Sequence, residues 1–407
     1  MQSVQVLTAA WYGDREMDLT FPDGWDLNLI AFEERPVLTQ EQLRQAFHQP
    51  IGSPRIAELA QGKKSAVLIA DDLTRPTPTS EVMPFILDEL QEGGIAEEDI
   101  LIFIGHGCHR QMRHDDITKK LGKDTVNRIR VKQNELDDPF VYLGNTSRGV
   151  PLHINQWVMD CELKIGIGGT WPHGTAGFSG GGKLAIPGIA NYKTISTAHG
   201  TLKGGGRAGN VENEFRLNSE EAARMAGLNT TVLTILDYKR EITGLFVGDL
   251  VEAHRTAVKE AREAYAVQVM SDADIVIATG YPRDHDLPYG GQGGWPMRHS
   301  QPEATRILIN TGTEGVGYHR AGFLRNKQLR EEENREREER KPLVRSEDWD
   351  YILFSDAVGP MEVLEVHPKA KLMESWDEIL DFLKQKYRDQ KPKVAIYRSS
   401  AIAYPRD

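Results

Sequence analysis

The chain has 407 residues, 39% apolar and 27% charged, an ordinary soluble composition long enough for two or three domains with separate cores. A formal net charge of −11 disfavours nucleic acid and anionic membranes as partners. Two cysteines, Cys108 and Cys161, exclude a disulfide scaffold, and no apolar run approaches the roughly 18 residues needed to span a bilayer.

The start, MQSVQVLTAAWYGDREMDL, has neither a basic segment nor a continuous apolar stretch, so no secretory leader and a cytoplasmic location are expected. The first 60 residues read as a short β-rich entry followed by a helix near Glu41–Phe47. A regular rhythm then begins. KSAVLIA (64–70) is a continuous apolar strand ending in Asp71-Asp72-Leu73-Thr74-Arg75-Pro76, which its prolines keep out of a helix. A helix over Ser80–Glu92 stops at Gly93-Gly94, and DILIFI (99–104) is a second buried strand running into Gly105-His106-Gly107-Cys108-His109-Arg110. A short helix near Asp115–Leu121, a strand around Arg128–Gln133 and a strand at CELKIGI (161–167) follow. Strands alternating with helices, with polar Gly/Pro-rich loops at their carboxyl ends, predict a doubly wound, mostly parallel sheet that binds its ligand at those ends.

Thr231–Leu236 and Glu241–Val247 read as a hairpin and Gly248–Val269 as a helix. A second α/β rhythm runs from ADIVIATGYP (273–282) through TRILIN, YILF, a helix over Trp376–Tyr387 and KVAIY, and Arg325–Lys341 reads as a charge-dense helix. The expected organisation is therefore two α/β domains, 1–270 catalytic and cofactor-binding, 271–407 closing over the substrate, with the active site in the cleft between them.

Chemistry concentrates in WPHGTAGFSGGGKLAIPGIANYKTISTAH (171–199), which sets His173, Lys183 and His199 around a glycine-saturated turn with spacing His-x9-Lys-x15-His. Such a turn brings backbone N–H groups close to an anion at a cost in backbone entropy. Gly177 to Lys183 also matches GxxxxGK, the front of a phosphate-binding loop, but Leu184 stands where a nucleotide hydrolase needs Ser or Thr, and Pro187-Gly188 interrupts the helix that should follow. A phosphate-bearing cofactor on this turn is the preferred reading, a phosphoryl-transfer enzyme the alternative. His109 and His173, at strand ends, are suited to proton transfer near neutrality, and the cluster His106, His109, His114 invites a metal reading. Arg75 can present a planar fork to a carboxylate.

DDLTRPTP, GCHR, LGNTSRGVP and PHGTAGFSGGGK with the downstream His199 resemble the lactate racemase family that uses a nickel-pincer nucleotide. The resemblance covers residues 60–260 closely and extends to the ADIVIATGYPRD segment. It implies racemisation or epimerisation of a 2-hydroxy acid by proton-coupled hydride transfer through a 2-keto acid. It also implies a cofactor, pyridinium-3-thioamide-5-thiocarboxylic acid mononucleotide, joined covalently to Lys183, with His199 as the protein ligand of nickel. Its phosphate would meet donors near Ser179, Gly180 and Gly181. His109 and His173 would act as acid and base, and Asp72 and Arg75 would orient the site and bind the substrate carboxylate. The partners implied are the small-molecule substrate and the enzymes that mature the cofactor. The segment GYPRDHDLPYGGQGGWPMRHSQ departs from the family's pattern by lacking a carboxylate-binding lysine. Arg283, His285, Trp295 and Arg298 are the candidates to replace it, and a non-catalytic cofactor-binding protein is the alternative that this departure leaves open.

Overall fold

The computed structural model describes residues 1–135, 137–204, 208–317 and 351–406. The helix expected over Arg325–Lys341 lies outside them. The described chain forms two compact units, residues 34–264 and residues 1–33 with 265–317 and 351–406.

In the first unit a six-stranded sheet runs in the order Ile242–Gly248, Thr230–Leu236, Leu163–Gly169, Ala66–Ala70, Ile100–Ile104, Arg130–Gln133. All neighbours are parallel except the hairpin pair at the first edge. Every residue of Ala66–Ala70, Ile100–Ile104 and Leu163–Gly169 is buried. This explains why they read as unbroken apolar runs, since helices cover both faces of such a sheet. Val67, Ile69, Leu101 and Phe103 share a core with Ile195 and Ala198 of helix Tyr192–Thr201 and Phe215, Ala222 and Ala223 of helix Glu214–Met225. From Ala66–Ala70 the chain winds outward to one side, then returns at Leu163–Gly169 to wind to the other. The reversal opens a crevice at the carboxyl ends of these two strands. Asp71-Asp72 and Thr170–His173 leave from that point, and Gly105–His109 from the next strand along.

The second unit holds an all-parallel six-stranded sheet ordered Ala370–Met373, Tyr351–Phe354, Thr305–Ile309, Ile275–Thr279, Lys393–Tyr397, Asp26–Ile30. The last strand corrects the expected boundaries. Residues 1–33 group with the C-terminal half, because Asp26–Ile30 pairs along Lys393–Tyr397 and the hairpin of Gln2–Thr8 and Arg15–Phe21 packs on the same core. Phe21, Trp25, Trp376 and Tyr387 meet there edge to face or tilted, and the Trp376 indole donates to the Thr20 carbonyl at 3.1 Å. Among the described residues no helix is long and apolar enough to cross a membrane.

Candidate active site

One cavity in the first unit is lined by Asp71, Asp72, Arg75, His106, His109, Gly168, Ser179, Gly180 and Lys183, so the ends of three adjacent strands and the glycine turn converge as the strand ends predicted. Its floor is a buried carboxylate–imidazole pair. Asp72 Oδ2 lies 2.5 Å from His109 Nδ1, and the two residues are 3% and 7% exposed. The other Asp72 oxygen accepts from the Thr74 backbone N–H at 2.8 Å and from the Thr74 hydroxyl. Burial pushes the Asp72 carboxyl up, but His109, Arg75 and Thr74 outweigh it and hold the group well below the usual carboxylate range. Burial also holds His109 below its ordinary value, against Asp72, with Arg75 and Lys183 adding repulsion. His109 is therefore neutral at pH 7, with Nδ1–H donated to Asp72 and the lone pair on Nε2. Arg75 Nη1 donates to Thr74 Oγ1 at 3.0 Å, beside the same carboxylate.

The turn carrying these residues is held from behind. Lys120, fully buried on helix His114–Leu121, pairs with Asp71 at 2.6 Å and donates to the Arg75 carbonyl at 3.0 Å, while Thr77 donates to the second Asp71 oxygen at 2.7 Å. Nothing in the sequence beyond a lysine on a short helix pointed to Lys120.

The glycine turn is built as tightly. Arg216, fully buried, donates to the carbonyls of Ala176 (3.2 Å), Gly180 (2.8 Å) and Phe178. Burial lowers its guanidinium to about 10, still cationic at pH 7. His254, held neutral by burial, donates from Nε2 to the Ser179 carbonyl at 2.8 Å. A trans peptide points its N–H opposite to its C=O. With the Ser179 and Gly180 carbonyls turned to His254 and Arg216, the N–H groups of Gly180 and Gly181 face the other way. The glycines also let the turn sit against its supports, since a Cβ on Gly182 would lie 2.6 Å from the Ser219 carbonyl oxygen and 2.7 Å from Glu220 Cα. Ser179, expected among the phosphate donors, lines the cavity, and its hydroxyl is engaged by the backbone. Its only hydroxyl proton goes to the Gly169 carbonyl at 2.5 Å, and its oxygen accepts from Trp171 N–H at 3.0 Å.

Lys183 and His173 come together with Lys183 Nζ 3.0 Å from His173 Nε2. Nδ1 of His173 accepts the backbone N–H groups of Thr175 and Ala176, each at 3.2 Å, which assigns the ring proton to Nε2. Lys183 Nζ is thus placed against the His173 ring beside the glycine turn. His199 stands on the last turn of Tyr192–Thr201, outside the lining of this cavity. Its Nδ1–H donates to the Ile195 carbonyl at 2.9 Å, leaving the lone pair on Nε2, the tautomer suited to a metal. The ring packs on Phe215, centroids 4.8 Å apart, so adjacent residues of one helix, Phe215 and Arg216, set His199 and the glycine turn.

Other expectations fare differently. Gly181–Leu184 is a single 3-10 turn, and no α-helix begins between Lys183 and Asn191, which removes the helix N-terminus a nucleotide phosphate loop requires. Among the described residues no group of three His, Cys, Asp or Glu side chains gathers as a metal site, so His106, His109 and His114 are not one. Trp295 and Arg298 belong to the second unit. The Trp295 indole donates to the Ser400 carbonyl at 2.8 Å and packs on Tyr397. Arg298 lines a different cavity, with Tyr351 and His367. Arg283 and His285 are both 1% exposed, with Arg283 Nη1 donating to Gln292 at 2.8 Å and its guanidinium 4.6 Å over the Tyr289 ring.

Comparison with known proteins gives a consistent answer. The family described as the lactate racemase N-terminal domain matches residues 12–209. A lactate racemase of Lactiplantibacillus plantarum is 32% identical over 295 residues, covering 70% of this chain and 69% of that protein. One from Thermoanaerobacterium thermosaccharolyticum is 29% identical over 326 residues, covering 77% and 76%. Among solved structures, the lactate racemase apoprotein of that second organism superposes with a TM-score of 0.74 at 22% identity, over 99% of this chain and 100% of that one. A Thermotoga maritima protein superposes with a TM-score of 0.62 at 18% identity, over 90% and 98%.

Proposed function

This chain belongs to the lactate racemase family, and we propose that it is an isomerase that inverts C2 of a 2-hydroxy acid using a nickel-pincer nucleotide. The donor set fits that group. Lys183, on the cavity wall, is the side chain for its covalent attachment, and His199 offers Nε2 to the nickel. The N–H groups of Gly180 and Gly181 suit its phosphate, being turned away from Arg216 and His254. When bound, the group supplies the acceptor and donor of the C2 hydride, chemistry that no amino-acid side chain provides.

The protein's part is orientation and proton handling. Arg75 fixes the carboxylate through its planar fork, which keeps the keto acid in register while C2 is planar. His109, neutral and held by Asp72 with Nε2 basic, takes the hydroxyl proton on one side and returns it on reversal. His173 serves on the other side, a need that inversion creates and a one-handed oxidation does not. The observation that carries this reading is that His109 and Arg75 line one cavity with Lys183, whose Nζ lies 3.0 Å from His173 Nε2. The test is interconversion of the two hands of a 2-hydroxy acid by protein co-expressed with the cofactor-making enzymes. His109→Ala and His173→Ala should each cost about 100-fold or more in kcat, the range of general acid–base catalysis. Nickel-loaded protein that racemises no member of a 2-hydroxy acid panel would contradict it.

A further inference from the structure

His106 lines the same cavity and has no role in the chemistry above. It is 5% exposed, and neither Nδ1 nor Nε2 has a hydrogen-bond partner among the described residues. The backbone of Asn134 and of Gly107 approaches the ring closely enough to raise its pKa, without completing a hydrogen bond of good geometry to either nitrogen. An imidazole buried with both nitrogens unpaired is costly unless a ligand completes it.

The local backbone is shaped to hold the ring there. Gly105 and Gly107 flank His106, and Gly107 has φ +61°. A Cβ on Gly107 would lie 3.0 Å from Pro187 Cβ, and one on Gly105 would lie 3.3 Å from the Gly188 carbonyl carbon. The two glycines thus let the His106 loop press on the Pro187-Gly188 segment just beyond the glycine turn. Burial keeps the His106 ring neutral, so it offers one donor and one acceptor rather than a charge. That pairing suits a hydroxyl, which is itself both. It suits a methyl group poorly, because both nitrogens would stay unpaired. A second carboxylate would ask for a cation, and the cavity's guanidinium, Arg75, is already assigned to the first.

Resting on the racemase reading, we propose that His106 is a specificity-determining residue that hydrogen-bonds a second hydroxyl of the substrate, beside the inverted carbon, so that this chain prefers 2,3-dihydroxy acids to their 3-deoxy counterparts. The test uses holoprotein loaded in cells and the probe pair 2,3-dihydroxypropanoate and lactate, with kcat/KM read from loss of optical activity. Wild type should favour the dihydroxy acid by about tenfold or more, since a site built for a hydroxyl rejects the analogue lacking it. In His106→Phe the ratio should fall toward one, chiefly through KM, and His106→Asn should recover part of it. Melting temperatures of both variants separate lost recognition from lost fold. No preference in wild type, or a preference that survives His106→Phe, overturns the inference while leaving the racemase reading intact. An equal loss on both substrates together with lost nickel also overturns it, assigning His106 to holding the cofactor. A loaded protein inactive on both probes and on every other 2-hydroxy acid overturns the racemase reading, and this inference with it.

Discussion

Asp72 fixes the tautomer of His109, and that role is open to a pH experiment. In the proposed mechanism His109 acts as the neutral ring, a form lost as pH falls through its native value. Burial holds that value below the ordinary 6.5, so the acid limb of kcat/KM should lie below pH 6.5. Asp72 acts the other way, raising it by charge and hydrogen bond. In Asp72→Asn the acid limb should therefore move lower still. The plateau should fall by roughly 10²- to 10⁴-fold, because the amide can offer its NH2 to Nδ1 and force the proton onto Nε2. An acid limb that stays in place in Asp72→Asn would show that His109 is not the titrating base. The residues visible in sequence were those with chemical side chains at strand ends. Lys120, Arg216 and His254 were not visible, because each lies on a helix and reaches the site through backbone carbonyls or a buried carboxylate.

Two elements carry the glycine turn, and their packing makes different predictions for different glycines. Gly182→Ala drives a methyl into the backbone of helix Glu214–Met225 and should destabilise by about 1–3 kcal/mol, the cost of overpacking. Gly174→Ala meets nothing within 4 Å and should change stability by less than about 0.5 kcal/mol. Thermal melting of the two variants checks the contrast, and equal losses would contradict it. Arg216→Met leaves the Ala176, Phe178 and Gly180 carbonyls without their donor and should cost about 3 kcal/mol or more. The sequence read this turn as an anion cradle from its glycines. The structure adds that the same glycines are needed for close approach to the supporting helices, a demand that composition cannot separate from ligand binding. Ser179 shows the limit most clearly, because its hydroxyl looks like a phosphate donor in sequence and is a backbone brace in the fold.

At the scale of the molecule, the strand rhythm and the meeting of DDLTRP, GHGCHR and the glycine turn were legible because local patterns fix parallel strands and their loops. The destination of the N-terminus was not, since Asp26–Ile30 finds its partner more than 360 residues away at Lys393–Tyr397, and no local pattern encodes that register. Removing residues 1–33 should therefore destabilise the unit of 265–317 and 351–406, seen as faster hydrogen exchange across Lys393–Tyr397 with little change across Ala66–Ala70. Acid should act on the other unit as well. Burial holds His106, His109 and His254 below their ordinary value, so the unfolded chain binds more protons below about pH 6.5, and stability present above that pH is lost as pH falls. Denaturant unfolding at pH 7 and pH 5 should show the loss, and His254→Gln should reduce the difference between the two.

The central claim is that the glycine turn, Lys183 and His199 hold a nickel-bearing nucleotide. Intact mass and nickel content, measured on wild type and Lys183→Ala after co-expression with the cofactor-making enzymes, test it most directly. The account predicts a nucleotide-sized covalent adduct with nickel in wild type and neither in the variant. Wild-type protein with no adduct and no nickel, purified beside a racemase that loads in the same cells, would contradict it.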